Sequence, residues 1–527
     1  MEREWREASD MRSSMAGLGV VLAAAAVLRF WGLGSGIPFA VGTDEPEIMT
    51  RVVRMMQTGD FNPHFFDYPT LYIYVQLVVA CIRFVLGASS GLWGSLAQVT
   101  ADNFYFWGRF VTAVLGTLTV YLVYLIGSRW GARHALLAAG LMAVMPNHVR
   151  ESHFVLTDVP MAFFTTLSFL LTLRALEKQT LRAFAWAGAA AGLAAGTKYY
   201  GAVILVAPLL AAYLVSNPPR PRLGFALSAL GAAAGCFLLA APYTVLDLPA
   251  FLNGFAGLSS ALHGRAPNVE PGWRVYLKHL NLALWYSGMV LMIWGLIHAI
   301  VRGIIGPGKP RFILLVVFPV LYFILVSDRT LIFARYLMPL FPFISLLIAI
   351  AIVSGVSLLR RFNIPRAART ALIVALTVVA ILPPAVDSLA WDAAHGRPST
   401  YSQAYAWIME NVPADAGVVI ETSSFRLPVS YRSMNVKRLI DQDYEAYIAG
   451  NMNYVVLSAQ ASGGVFDAPQ LDPQMYAAYR RMLDRMSLVA AFKRSPRDLS
   501  PDIRIYKLID DRLERTPEIN KTTEPER

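Results

Sequence analysis

Apolar residues recur in long unbroken runs over the first three quarters of the chain and give way to mixed patterning near residue 390. At about twenty residues per bilayer crossing, the runs predict helical spans near 15–33, 70–87, 104–127, 134–148, 157–174, 183–197, 200–216, 223–241, 281–302, 311–326, 332–355 and 368–386. Two polar segments between them are long, about 34–69 and 242–280. Loops of that length are often functional. After residue 390 the period changes. Ser399-Thr400 supplies a helix start ahead of 401–411, and Val418–Glu421, Tyr454–Ser458 and Ile503–Leu508 read as strands. The expected fold is mostly α. It is a polytopic membrane helix bundle over 1–389, with eleven to thirteen spans, followed by a small soluble α/β domain over 390–512 and a disordered tail over 513–527.

Composition agrees with this picture. The chain has 527 residues, of which 56% are hydrophobic and 15% charged, whereas a soluble domain carries nearer a quarter charged residues. The net charge of +11 would suggest nucleic acid on a soluble protein. Here the basic residues sit in short loops: Arg129 with Arg133, 174–182, Arg220 with Arg222, 302–311, and Arg360, Arg361, Arg366 and Arg369. Basic loops mark the cytoplasmic side, so the charge reads as topology, with no nucleic-acid partner. This rule puts the N-terminus in the cytoplasm and 147–158, Tyr199, 242–279, 328–329 and everything beyond 390 outside. Segment 70–103 must then begin and end on one side. Either 70–87 lies along or dips into the membrane, or 88–100 makes a short return pass. The run after Arg3, Arg6 and Arg12 is longer than the apolar part of a signal peptide and reads as an uncleaved first span. Cys81 and Cys236 lie in apolar runs and read as small buried hydrophobes.

The chemistry-bearing residues cluster at the outer ends of spans. Gly42-Thr43-Asp44-Glu45-Pro46-Glu47 follows the first span and opens a helix whose Ile48, Val52, Met55 and Met56 form an apolar stripe, as for a helix lying on the membrane surface. Asp44 fits either a helix cap or a general base facing a hydroxyl acceptor. Asp158, in Thr157-Asp158-Val159-Pro160, offers the same choice between cap and functional acid. Lys198 and Arg335, with Arg274, Lys278 and Arg329, are the basic residues on this side. They suit phosphate oxygens or simple snorkelling to headgroups. His148, Glu151 and His153 form a weak metal pattern without the i, i+4 spacing of zinc helices. A divalent metal is the one cofactor left open. Asp441-Gln442-Asp443 imitates a DxD motif and reads as chance. No P-loop, dinucleotide glycine motif or G-x-S-x-G occurs.

The order of these features is more specific than any one of them. A first span is followed by Asp44-Glu45, Thr58-Gly59-Asp60 and Tyr68-Pro69. Then come Arg109, Pro146, Asp158-Val159-Pro160, Gly192 to Tyr199, Arg335-Tyr336 to Pro339, and an α/β end. Over about 15–355 this resembles the dolichyl-phosphate-mannose–protein mannosyltransferase-like family. Its bacterial branch includes the lipid A aminoarabinose transferases, and it lies within the C-type glycosyltransferase superfamily. The resemblance implies the C-type glycosyltransferase fold, a polyprenyl-phosphate sugar as donor, inverting transfer on the extracytoplasmic face, and the plasma membrane of a bacterium. It implies Asp44, its neighbour Glu45 and Asp158 as the catalytic acids. It also implies Lys198, Arg335 and Tyr336 at the donor phosphate, with a lipid, glycan or protein as acceptor. The chain lacks the inserted lumenal domain of the eukaryotic protein mannosyltransferases. Two other readings stand beside it. A flippase of lipid-linked sugars predicts ionisable residues deep within spans, and few are present. A non-catalytic envelope scaffold predicts that Asp44 and Asp158 are dispensable.

Overall fold

The computed structural model describes residues 2–39, 44–215, 221–263, 270–329, 331–421, 425, 427–428, 430–494 and 500–509. The tail expected to be disordered, 513–527, lies outside them. The chain divides into two compact units, Met1–Gly34 with Gly42–Ala393, and Ser35–Val41 with Ala394–Arg527.

The first unit is helical: α1 (Glu2–Phe30), α2 (Glu45–Thr58), α3 (Leu71–Ser89), α4 (Tyr105–Gly127), α5 (Ala132–Ala143), α6 (Pro146–Glu151), α7 (Asp158–Lys178), α8 (Leu181–Thr197), α9 (Val206–Leu214), α10 (Arg222–Ala240), α11 (Tyr243–Leu246), α12 (Leu248–His263), α13 (Gly272–Ile305), α14 (Lys309–Ser327), α15 (Phe341–Leu358) and α16 (Arg366–His395). Tight 3-10 turns at Tyr199–Leu205 and Ala334–Leu340 lead into α9 and α15. Among the described residues, eight helical segments are long and apolar enough to cross a membrane, and shorter apolar helices lie at Met15–Phe30, Tyr199–Leu214 and Leu248–Leu262. This is the expected polytopic bundle.

One choice left open by the sequence is narrowed, and two details differ from the expectation. Residues 90–104 form turns and two short 3-10 segments, so no return pass crosses at 88–100. The long segment 242–280 is largely helical, built on α11, α12 and the start of α13. The apolar stripe of α2 faces protein instead of lipid: Ile48, Val52 and Met55 are buried as α2 packs on α3. The helix ends at Gly59, whose φ of 72° is the left-handed cap conformation that glycine adopts without steric cost.

In lipid, helices associate through close backbone approach at small residues. The α8–α10 pair shows this. A side chain at Gly188 or Gly192 would strike the Ala229 or Ala233 carbonyl oxygen, at 1.9 and 2.2 Å from an added Cβ. The same packing carries the end of α8, and with it Lys198, to a defined place. A second device joins α1 to the end of α5. The buried Arg29 guanidinium donates to the Met142 and Ala143 carbonyls at 3.1 and 2.9 Å. These are carbonyls of the last turn of α5, where the regular helical partners run out.

The second unit is α/β. Its sheet runs β2-β1-β3-β5-β4, from β1 (Gly417–Glu421), β2 (Arg432–Asn435), β3 (Met452–Ser458), β4 (Met486–Phe492) and β5 (Ile503–Leu508). The first three strands are parallel and the last two antiparallel. Ser399 caps the Thr400–Asn411 helix by accepting from Ser402 N–H, as its sequence position predicts. The fully buried Glu421 at the end of β1 accepts from Leu439 N–H at 2.7 Å and from the Tyr479 hydroxyl. Burial outweighs these bonds and pushes its carboxyl up to about 6. The folded state therefore holds a proton that the unfolded chain releases at lower pH. Its stabilisation is complete below the ordinary glutamate range and is lost as pH rises through about 6. The protection of β1 and β3 amides, relative to their intrinsic exchange at each pH, is expected to fall between pH 4.5 and 6.5 in the intact protein, and the Glu421→Gln variant is expected to lose that fall.

Candidate active site

Asp44 occupies the cap position of α2 without capping it: no hydrogen bond runs from its side chain to the first-turn N–H groups. Its Oδ2 instead accepts from the Tyr68 hydroxyl at 2.8 Å and from Arg335 Nη2 at 2.7 Å. Asp158 is the first residue of α7, behind Thr157, which makes no capping bond. It accepts from Lys198 Nζ at 2.6 Å, and its other oxygen lies 3.8 Å from Arg335 Nε. Arg335 thus stands between two carboxylates that are 114 positions apart in sequence. The cluster is graded in depth. Asp158 and Lys198 are 2% and 5% exposed, whereas the Arg335 and Asp44 side chains keep 14% and 19%. Lys198 Nζ also sits 4.5 Å from the Tyr336 ring centre and 5.6 Å from that of Tyr68, the geometry of a cation over aromatic faces. Burial, with the Asp44 carboxylate beside it, pushes the Tyr68 phenol well above its ordinary value, so Tyr68 stays a proton-bearing donor.

A cavity of about 150 Å3 adjoins this cluster. Lys198, Arg329, Tyr68, Tyr200 and Tyr336 give it a polar wall, and Phe255, Leu258 and Leu262 of α12 give it an apolar one. Sequence reading set Arg329 among the basic residues of this side and omitted Tyr200 and the α12 contacts. The apolar residues of α12 were legible as such, but only packing turns them toward the lysine.

Glu45, adjacent to Asp44, turns the other way. It is fully buried and receives a two-pronged ion pair from buried Arg109, Nε and Nη2 both at 2.7 Å. The Val155 N–H adds a bond at 3.0 Å, and Arg109 Nη1 reaches the Leu33 carbonyl at 2.9 Å. One buried pair therefore ties together the end of the α1 region, the start of α2, the start of α4 and the strand of chain three residues before Asp158.

The weak metal pattern does not assemble. His148 Nδ1 accepts from Arg29 at 3.1 Å, and both His153 nitrogens face backbone carbonyls, of Val149 and Trp31, at 2.9 Å. Glu151 pairs with its neighbour Arg150. Among the described residues, no group of three His, Cys, Asp or Glu side chains could hold a metal ion. Asp441 closes a local turn onto Arg438 N–H, which accounts for half of the DxD imitation.

The helical unit, joined in sequence to a small α/β unit, makes a fold that solved membrane proteins share. ArnT from Cupriavidus metallidurans shares it in the apo state, with a TM-score of 0.57 at 16% identity over 94% of this chain and 98% of that one. The same protein bound to undecaprenyl phosphate gives 0.56 at 14%, with the same coverage. The archaeal oligosaccharyltransferase AglB from Archaeoglobus fulgidus, in complex with an inhibitory peptide and a dolichol-phosphate, gives 0.54 at 14% over 93% and 74%. Residues 74–245 match the family described as dolichyl-phosphate-mannose-protein mannosyltransferase. No curated protein matches the chain significantly. The family match and the shared fold bear out the resemblance and support the class of multi-pass membrane glycosyltransferase.

Proposed function

We propose that this protein transfers a sugar from a polyprenyl-phosphate donor to an acceptor hydroxyl, on the face of the membrane where Asp44 lies. The observation that carries this reading is the bridged pair of acids, Asp44 and Asp158, with two cations beside a cavity that is polar on one wall and apolar on the other. Such a cavity suits a phosphate on a lipid tail. The solved relatives with undecaprenyl phosphate and dolichol-phosphate are in keeping with such a donor.

In this mechanism the Asp44 carboxylate takes the acceptor hydroxyl proton while the oxygen attacks the anomeric carbon. The bond from that carbon to the phosphate oxygen breaks, and polyprenyl phosphate departs with the electron pair, inverting the anomeric centre. Lys198 and Arg335 meet the charge that develops on the leaving phosphate, where preorganised donors in a water-poor site act most strongly. Tyr336 orients Lys198 through its ring. Asp158 holds both cations, and Glu45 acts through Arg109 as a positioning residue. The N-terminus and the basic loops lie on the opposite, cytoplasmic face.

The test is transfer by the purified protein in lipid, supplied with radiolabelled polyprenyl-phosphate sugars and a membrane extract. A labelled product identifies the acceptor by its mass. A donor that crosses the bilayer without yielding product would replace this reading with that of a flippase.

A further inference from the structure

A second cavity, of about 370 Å3, lies at the other end of the helical unit. It is bounded by the start of α5, the end of α15 and the start of α16. The separation from the acids follows from helix geometry. The turn that carries Arg335 leads directly into α15, and α15 runs its 18 residues, about 27 Å at 1.5 Å each, before reaching this cavity. That is close to the thickness of a bilayer core.

Arg133, Arg366 and Arg369 line the cavity, with Thr370 beside them. No described carboxylate pairs with any of the three. The contrast is with Arg129 and Arg311 at the neighbouring helix ends, which share Glu177. Arg369 Nε is moreover buried without a hydrogen-bond acceptor among the described groups. A buried donor left unmet is costly, and three like charges converging on one concavity repel. Both are relieved by an anion. Arg366, Arg369 and Thr370 belong to the first turns of α16, the helix end whose dipole favours negative charge.

The remaining wall says which anion. Val356 and Ile373 continue the cavity as an apolar surface, and below it α16 presents exposed Leu372, Val374 and Val378. The volume also exceeds what a lone phosphate fills. We infer that this cavity binds the phosphate headgroup of an anionic phospholipid from the leaflet opposite the acid pair, with its acyl chains along α16. This inference is independent of the proposed transfer reaction.

The test uses the full chain, purified in mild detergent and titrated with phosphatidylglycerol or phosphatidylcholine, with bound lipid counted by native mass spectrometry. Phosphatidylglycerol is expected to bind and phosphatidylcholine not. At about fivefold per arginine, the Arg366→Gln/Arg369→Gln variant is expected to weaken phosphatidylglycerol binding about 25-fold. Arg361→Gln, the same loss of charge outside the cavity, is expected to change it less than twofold. Should the double variant not remain monodisperse, Arg133→Gln on a different helix is expected to weaken binding about fivefold. Equal binding of the two lipids, or unchanged binding in the cavity variants, would overturn the inference. Protection from heat by inorganic phosphate alone, equal to that by phosphatidylglycerol, would overturn it in favour of a soluble phosphate ligand.

Discussion

Asp44→Asn is expected to abolish sugar transfer while leaving a folded protein. Asparagine keeps the shape of the side chain and an oxygen that can still accept from Tyr68 or Arg335. It cannot take a proton. A positioned base contributes about 10²- to 10⁴-fold, so the loss in initial rate should be of that order. The stability cost should stay near about 1–2 kcal/mol, because the pair keeps contact with solvent and Arg335 retains Asp158. Initial rates and thermal denaturation in the same lipid separate the two effects. A variant with near-normal turnover would remove Asp44 from the chemistry and leave only its contacts with Tyr68 and Arg335.

Arg109→Ala is expected to act in the opposite manner, through the fold. The change leaves the fully buried Glu45 carboxylate with the Val155 N–H and without its counter-charge. Breaking a buried pair from one side costs about 3–5 kcal/mol. Thermal stability and transfer should therefore fall together, unlike the clean loss of rate at Asp44. Arg109→Lys should not rescue, since an ammonium cannot make the two-pronged contact and reach the Leu33 carbonyl as well. The paired change Glu45→Met with Arg109→Met should recover much of the stability, because it removes both buried charges. It should not recover full transfer if the pair sets the position of Asp44. A stable, fully active Arg109→Ala protein would show that this contact holds nothing in place.

These two variants probe adjacent acids that the sequence could not tell apart. Asp44 and Glu45 stand side by side ahead of one helix, and each fits a cap, a solvated charge or a catalytic group. Their fates differ because a helix start turns successive side chains by about 100°. One carboxylate meets Tyr68 and Arg335, the other Arg109. Nothing local to residues 42–47 encodes which. The partner of Glu45 comes from α4 and that of Asp44 from the turn before α15.

Much else was legible. Long apolar runs determine membrane helices almost without tertiary help, because every backbone polar group in lipid must be met within its own segment. The α/β end announced itself by its change of period, and Ser399 by its cap chemistry. β2 and β4 escaped notice because their burial does not alternate cleanly: β2 has no fully buried residue, and only Met486 is buried in β4. Length and hydropathy pointed the stripe of α2 at the membrane surface, although an apolar face is equally satisfied by lipid and by a neighbouring helix. Packing on α3 settled it.

By itself, then, the sequence determined the class of the molecule, the positions of most of its helices, and the short roster of acids and bases at their ends. Only the tertiary structure decided which of these meet. Asp44, Asp158, Lys198 and Arg335 converge because close contact of α8 with α10, the Arg29 bonds to the end of α5, and the Glu45–Arg109 pair fix four chain segments against one another. The same contacts kept His148 and His153 on backbone and arginine partners. Local patterning can state what a segment will bury, but only the packed fold can state against what.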